Sequence, residues 1–329
     1  MEDERYVGGM VVSADPIVTF SKRSVGIPLG IAGARPERFR GRKALHLIGF
    51  SSTIEHEARC DSIASDVAAI VEELPGNRFV FLANSEFEAY LLSTRGVASM
   101  MSSQLIFLNE RIFRPIEGEP LFNAIYNGRL VRLKRHELAT KIANLGLLYD
   151  IGAPDGPPLY DEMRTLLPHA TFINHERGGG SYRQLKIEEC ARHVNSARVG
   201  LCLSAEEGSM QAAIEYLLCG LPVVSTRSIG GRDRYLMPPF CRIVADDPDR
   251  VAAAVDDFAR AKIPKQAVRN YVMHLLAFDR HNFLIAVNKL AKETFGIDNL
   301  FGSFAPFEAG LTRWRKADEV LKPLDGRQA

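Results

Sequence analysis

Short apolar runs alternate along this chain with segments whose apolar positions repeat at helical spacing. The first clear run is ALHLIGF at residues 44–50. After a polar loop comes a helix carrying Ile63, Val67, Ile70 and Val71 on one face, ended by Pro75-Gly76. RFVFLA at 78–83 predicts a second strand, EFEAYLLS at 86–93 a short helix, and QLIFLNERIF at 104–113 a third strand. Arg114-Pro115 and the turn residues IEGEP mark a linker. Beyond it, NAIYNGRLVRLKRHELATKI predicts a strand, a glycine turn and a helix. LGLLYDIG and ATFIN predict further strands, with helices around 160–167 and 182–197. Near the end, CRIVA predicts a strand, Asp247 and Pro248 open a capped helix, and two more helices are expected at 268–277 and 282–295. Runs apolar on both faces, alternating with helices, imply an α/β fold with parallel sheets.

Residues 199–231, VGLCLSAEEGSMQAAIEYLLCGLPVVSTRSIGG, concentrate the chemistry. VGLCLS and PVVST predict buried strands, and between them 210–219 is a helix of good helix formers stopped by Gly220 and Pro222. Its only polar side chains are Gln211 and Glu215, and apolar residues surround them, so the helix is buried. A carboxylate there costs several kcal/mol unless it is hydrogen-bonded, which points Glu215 at a polar cleft or a ligand. Glu207 precedes the helix, and the helix N-terminus between the two carboxylates attracts phosphate. On spacing alone, a solvated Glu207 and an incidental Glu215 remain an alternative.

Glu207-Gly208 with seven residues before Glu215, then CGLPVVST and Gly230-Gly231, resembles the Glu-x7-Glu signature of retaining GT-B glycosyltransferases of family four. The resemblance implies that Glu207, with Gly208 and Ser209, lies by the donor sugar. It implies too that Glu215 takes the ribose hydroxyls of a nucleotide-diphospho-sugar, and that Gly230 and Gly231 let backbone amides approach the donor. Earlier in the chain, Arg129 and Lys134 resemble the Gly-Arg-Leu…Lys element with which these enzymes hold the donor pyrophosphate. Two cations on the loop after a strand suit a departing diphosphate, although RLVRLKR by itself would fit nucleic acid as readily. The resemblance also makes residues 172–176 weak candidates for a nucleobase pocket. The glycines at 178–180 lack dinucleotide-fingerprint spacing and read as a loop.

The fold implied is GT-B, two Rossmann-like domains with parallel sheets facing a cleft. The N-terminal domain (1–118) is abbreviated, the nucleotide-sugar domain spans 119–296, and an aromatic tail, 297–329, either packs back on the first domain or binds a partner. In the first domain, loops 51–57 and 84–86 would face the cleft, and His56 is its one candidate acid, base or substrate-binding group; a merely solvated histidine is the alternative. Residues 1–42 are irregular, with room for an added edge strand and a basic segment that reads as a solvated arm ahead of a phosphate- or lipid-facing patch.

Composition narrows this further. The 329 residues are 46% hydrophobic and 25% charged, a globular profile long enough for two domains, and 41 basic against 40 acidic residues leave no global field toward nucleic acid. Five scattered cysteines without a CxxC pair fit a reducing compartment. The start, MEDERYVGGMVV, lacks the order of a secretory signal and no apolar run reaches membrane-span length, so a cytoplasmic location is expected, with peripheral membrane attachment open. The expected activity is therefore transfer of a sugar to a glycan, lipid-linked or small-molecule acceptor, with no metal or other cofactor, since Arg129, Lys134 and the helix end supply positive charge. Two rivals stand beside it: a nucleotide-sugar 2-epimerase, and a non-catalytic binding or scaffold protein with a degenerate acceptor domain.

Overall fold

The structure, a computed structural model, describes residues 5–23, 27, 29–152, 156–308 and 314–325. Twelve strands are present among them: β1 (Tyr6–Ala14), β2 (Ile17–Lys22), β3 (Ala44–Gly49), β4 (Asn77–Ala83), β5 (Ser99–Met101), β6 (Phe122–Asn127), β7 (Leu145–Leu148), β8 (Thr171–Phe172), β9 (Ala197–Cys202), β10 (Val223–Thr226), β11 (Cys241–Val244) and β12 (Trp314–Lys316). They form two six-stranded sheets in two compact units, residues 1–107 with 276–329, and residues 108–275. The sequence reading placed the boundaries at 118/119 and 296/297. The second division falls instead inside one helix, Lys265–Phe295, where two helices were expected. Nothing between 277 and 282 breaks a helix: AFDRHN contains neither Gly nor Pro.

The first sheet has the order β12-β1-β2-β3-β4-β5. Strands β2 to β5 run parallel, and β1 is antiparallel to both β2 and β12. The N-terminal segment therefore contributes a hairpin of two strands, where one added edge strand was envisaged. Its basic residues are not a solvated arm: Arg23 pairs with Asp66, Arg35 with Asp318, Arg38 with Asp325 and Arg40 with Glu73. One sheet face packs Ile48, Phe79 and Phe81 against Ile63, Ile70, Val320 and Leu321. Phe20 belongs to a second aromatic cluster with Phe107, Phe283 and Phe307. His46 is buried within the sheet between Thr19 and Asn77 (2.8 and 2.9 Å), and burial pushes its imidazole down to about 4.

The run expected as the third strand, 104–113, is a buried 3-10 turn at Gln104–Phe107, and the strand is the less apolar Ser99–Met101. An apolar run this short fits a buried turn as well as a strand, and periodicity cannot separate them. Two more expectations fail locally. ATFIN is a two-residue strand leading into helix Ile173–Glu176, and the helix expected after Gly128 is two 3-10 turns, Arg132–Lys134 and His136–Ala139. Arg135 separates those turns in the left-handed region at φ 50, which stops the α-helix from propagating.

The second sheet is wholly parallel, in the order β11-β10-β9-β6-β7-β8. From β6 the chain builds outward through β7 and β8, then returns to β9 beside β6 and builds the other way. The reversal between β6 and β9 is the topological switch point of a doubly wound sheet, and ligands bind at the carboxyl ends of the strands there.

Candidate functional site

The loops after β6 and β9 bring most of the singled-out residues of this unit to that place. β6 ends at Asn127, and Gly128, Arg129 and Leu130 lead into the 3-10 turn that carries Lys134. Lys134 is 8% exposed, and its ammonium donates to the Glu207 carboxylate. Ser204, just past β9, donates to the same carboxylate oxygen at 2.9 Å. The two loops are joined through the backbone, since the Ala205 amide donates to the Leu133 carbonyl at 3.1 Å. The Tyr126 hydroxyl donates to the Lys134 carbonyl at 2.5 Å from beneath.

The loop after β10 closes the other side. The Ile229 amide donates to Ala205 and the Glu207 amide to Ile229, at 3.0 and 2.9 Å, so Gly230 and the buried Gly231 are held next in chain to a residue tied to Glu207. Arg232, fully buried, locks this arrangement by donating to the carbonyls of Ser204 and Thr226 and to Asp233. Arg135 adds a parallel tie to the Leu203 carbonyl and the Thr226 hydroxyl, each at 2.7 Å. The backbone around Glu207 is thus fixed by two guanidinium groups, neither of which the sequence reading singled out.

Glu215 lies on helix Gln211–Leu218 and is 8% exposed. The Asn127 side-chain amide donates to it at 3.0 Å, while the Asn127 backbone amide donates to the Tyr216 hydroxyl at 2.6 Å. One amide does not offset the loss of water, so burial pushes the Glu215 carboxyl up to about 7 against the Asn127 hydrogen bond. At the start of this helix Met210 supplies no side-chain cap, although its carbonyl accepts from the Ala213 amide at 3.1 Å. Gly208 and Ser209 form the turn before it.

Arg129 is exposed, and its guanidinium makes no ion pair or hydrogen bond among the described residues. His56 belongs to the other unit, where it immediately precedes helix Glu57–Glu73 without capping it by its side chain. Of residues 172–176, His175 is stacked on Tyr160 at 3.8 Å, with the Tyr149 hydroxyl 2.5 Å from its Nδ1. Asn127 also escaped the sequence reading. Its signal was there: a carboxamide ending an apolar strand, directly before Gly128-Arg129.

No family model matches the sequence, and the search of curated proteins finds no match. The fold does match solved structures. The sucrose-phosphate synthase of Thermosynechococcus elongatus is 17% identical, with a TM-score of 0.59 over 85% of this chain and 74% of that one. A UDP-forming α,α-trehalose-phosphate synthase from Burkholderia vietnamiensis is 12% identical, with a TM-score of 0.55 over 83% and 72%. Anabaena HepE, solved in complex with UDP, is 12% identical, with a TM-score of 0.52 over 81% and 74%. Two mostly parallel α/β sheets of this kind are the GT-B glycosyltransferase fold, as the sequence resemblance implied. No helix of the described residues is long and apolar enough to cross a membrane.

Proposed function

We propose that this chain is a retaining glycosyltransferase of the family-four type, moving a sugar from a nucleotide-diphospho-sugar to a glycan, lipid-linked or small-molecule acceptor. The observation that carries the reading is the meeting of Lys134, Glu207, Asn127 and Glu215 at the carboxyl ends of β6 and β9, the switch point of the parallel sheet. Lys134 and Arg129 face the diphosphate and stabilise negative charge as it departs, with the first turn of helix Gln211–Leu218 adding backbone amides. These cations take the part a metal ion would otherwise play. Glu215 accepts from the ribose hydroxyls. Glu207, held by Lys134 and Ser204, orients the donor sugar and does not attack it.

Glu207 is thus committed to an ion pair, and among the described residues of this unit no second carboxylate is paired with Lys134. That supports a front-face reaction in which the leaving phosphate takes the proton of the incoming hydroxyl. The test is a binding screen across UDP-, GDP- and ADP-sugars, followed by NMR of the product anomer once a donor and acceptor pair is found. Retention is expected, and an inverted product overturns the mechanism. Slow hydrolysis of the donor without an acceptor separates a transferase from a pure binder, and formation of the free 2-epimer would favour the epimerase. The proposal places this activity in the cytoplasm, at a membrane face if the acceptor is lipid-linked.

A further inference from the structure

Within the second unit, a cleft of about 280 Å³ lies between the two 3-10 turns, Arg132–Lys134 and His136–Ala139, and helix Gly156–Leu166. Leu159, Glu162, Met163 and Leu166 repeat at helical spacing, so the helix presents one face to it. The buried Leu159 and Met163 give that face an apolar lining, and Val131 adds to it from the loop after β6. Leu166, Arg132 and Glu162 are exposed, so the cleft opens to solvent. Its volume is close to the ~300 Å³ at which small-molecule sites begin, room for a single ring or a short chain. Neither Lys134 nor any other residue of the donor site lines it.

His136 is the buried polar group of this lining. It is 3% exposed, its ring packs on Tyr126 at 4.8 Å, and neither ring nitrogen makes a hydrogen bond among the described residues. Burial, and after it the charge of Lys134, push the imidazole down to about 3, so at neutral pH the ring carries one N–H and one bare nitrogen. Buried acceptors left unmet are rare, because they lose water and gain nothing, so a partner from outside the chain is called for. The charges at the mouth say which kind. Arg132 donates to both carboxylate oxygens of Glu162, at 3.1 and 2.8 Å, and that pair is neutral as a whole. Glu137 is exposed, and its carboxylate has no partner among the described residues, so the lining keeps one uncompensated negative charge. An anion would meet that charge with no free cation to offset it, and a purely apolar molecule would cover the His136 nitrogen without satisfying it. Among the described residues no group of three His, Cys, Asp or Glu could hold a metal ion. An ammonium, with three N–H donors, answers both the bare nitrogen and the carboxylate.

We infer that this cleft binds a small primary amine with an apolar body, its ammonium held by His136 and Glu137 and its body laid on Leu159 and Met163. The site does not rest on the glycosyltransferase reading. Calorimetry on the full chain tests it with phenethylamine, 2-phenylethanol and 3-phenylpropionate, which share an aromatic body and differ in carrying an ammonium, a hydroxyl or a carboxylate. Phenethylamine should bind roughly tenfold or more tightly than either of the others, because only its head group is a charged donor. Glu137→Gln, at an exposed position, should weaken that binding by about threefold or more and leave the melting temperature unchanged. His136→Phe keeps a ring against Tyr126 and removes both nitrogens; it should weaken binding by about tenfold or more while the melting temperature holds or rises. Shifts of the His136 imidazole resonances on adding phenethylamine give a readout that needs no variant.

Phenethylamine that does not saturate, equal binding of the alcohol or the carboxylate, an affinity indifferent to both substitutions, or an unmoved His136 imidazole would each overturn the site and leave that ring with water alone. Saturating UDP should leave the phenethylamine affinity within about twofold, since the two sites share no lining residue; displacement by UDP would put the amine in the donor site and overturn the cleft. UDP titrated alone reports on the donor site, so either reading can fail without the other.

Discussion

Glu215 is the residue whose protonation matters most. Its folded value, about 7, stands above the ordinary carboxylate value of 4.5, so the folded state holds a proton that the unfolded chain releases as pH rises. Its contribution to stability is therefore intact below pH 4.5 and is lost as pH climbs toward 7. At ~1.4 kcal/mol per pH unit the loss reaches on the order of 3 kcal/mol. Glu215→Gln should match the wild type in urea unfolding at pH 4 and exceed it by up to that amount at pH 8. The same variant should lose nucleotide affinity by roughly tenfold or more, since a charge-assisted acceptor contributes ~1.5–3 kcal/mol. A Glu215→Gln protein with unchanged affinity would remove the ribose assignment. The ion pair next to it behaves differently. Lys134 and Glu207 have side chains 10% and 13% exposed, so Lys134→Met strands a buried carboxylate and should cost ~3–5 kcal/mol in chemical denaturation. Arg129→Ala, at an exposed guanidinium with no partner among the described residues, should leave stability alone and weaken nucleoside diphosphate binding far more than nucleoside binding. Salt-sensitive, Arg129-dependent binding of a nucleic acid would instead favour the basic-patch alternative.

Between residue and fold, the elements decide how accurately these groups are held. Tyr216 takes the Asn127 amide because its ring lies flat on β9, which requires Gly200: a Cβ at 200 would sit 2.3 Å from the Tyr216 ring. Gly200→Ala should thus cost ~1–3 kcal/mol by overpacking. It should also weaken nucleotide binding, because a displaced Tyr216 no longer fixes the end of β6; intact affinity in a destabilised variant would show that the tyrosine only packs. The strands that frame this region were legible, since β3, β4, β9 and β10 are apolar on both faces and bounded by turn residues. So was the helix cap, where the Asp247 side chain accepts from the Arg250 amide. What escaped reading has a common cause. Arg135 and Arg232 act on the carbonyls of Leu203 and Ser204, just past β9 and distant in sequence, and no local pattern marks such a bond. β5 is only Ser99–Met101 and β12 only Trp314–Lys316, too short to show any period, while Leu105 to Leu108 were apolar enough to take β5's place in the reading.

At the scale of the molecule, the two units differ in how the chain builds them. The second is continuous, whereas the first is assembled from both ends of the sequence. β12 pairs with β1 through Gly8↔Trp314, Val7↔Arg315 and Tyr6↔Lys316, and the residues after it insert Val320, Leu321 and Leu324 into the first unit's core, each at most 3% exposed. At ~1.5–3 kcal/mol for each large apolar side chain, these three contribute roughly 5–9 kcal/mol, comparable with the whole net stability of an ordinary domain. Their loss also removes Asp318 and Asp325, which pair with Arg35 and Arg38. A chain ending at residue 313 should therefore fail to fold its first unit while residues 108–275 stay native. Urea unfolding should lose one transition. Nucleoside diphosphate affinity, carried by Lys134, Glu207 and Glu215 in the continuous unit, should stay within a few fold of the full chain by calorimetry. If nucleotide binding disappears together with the first unit, the donor site is not self-contained, and the assignment of its whole chemistry to the ends of β6 and β9 is wrong.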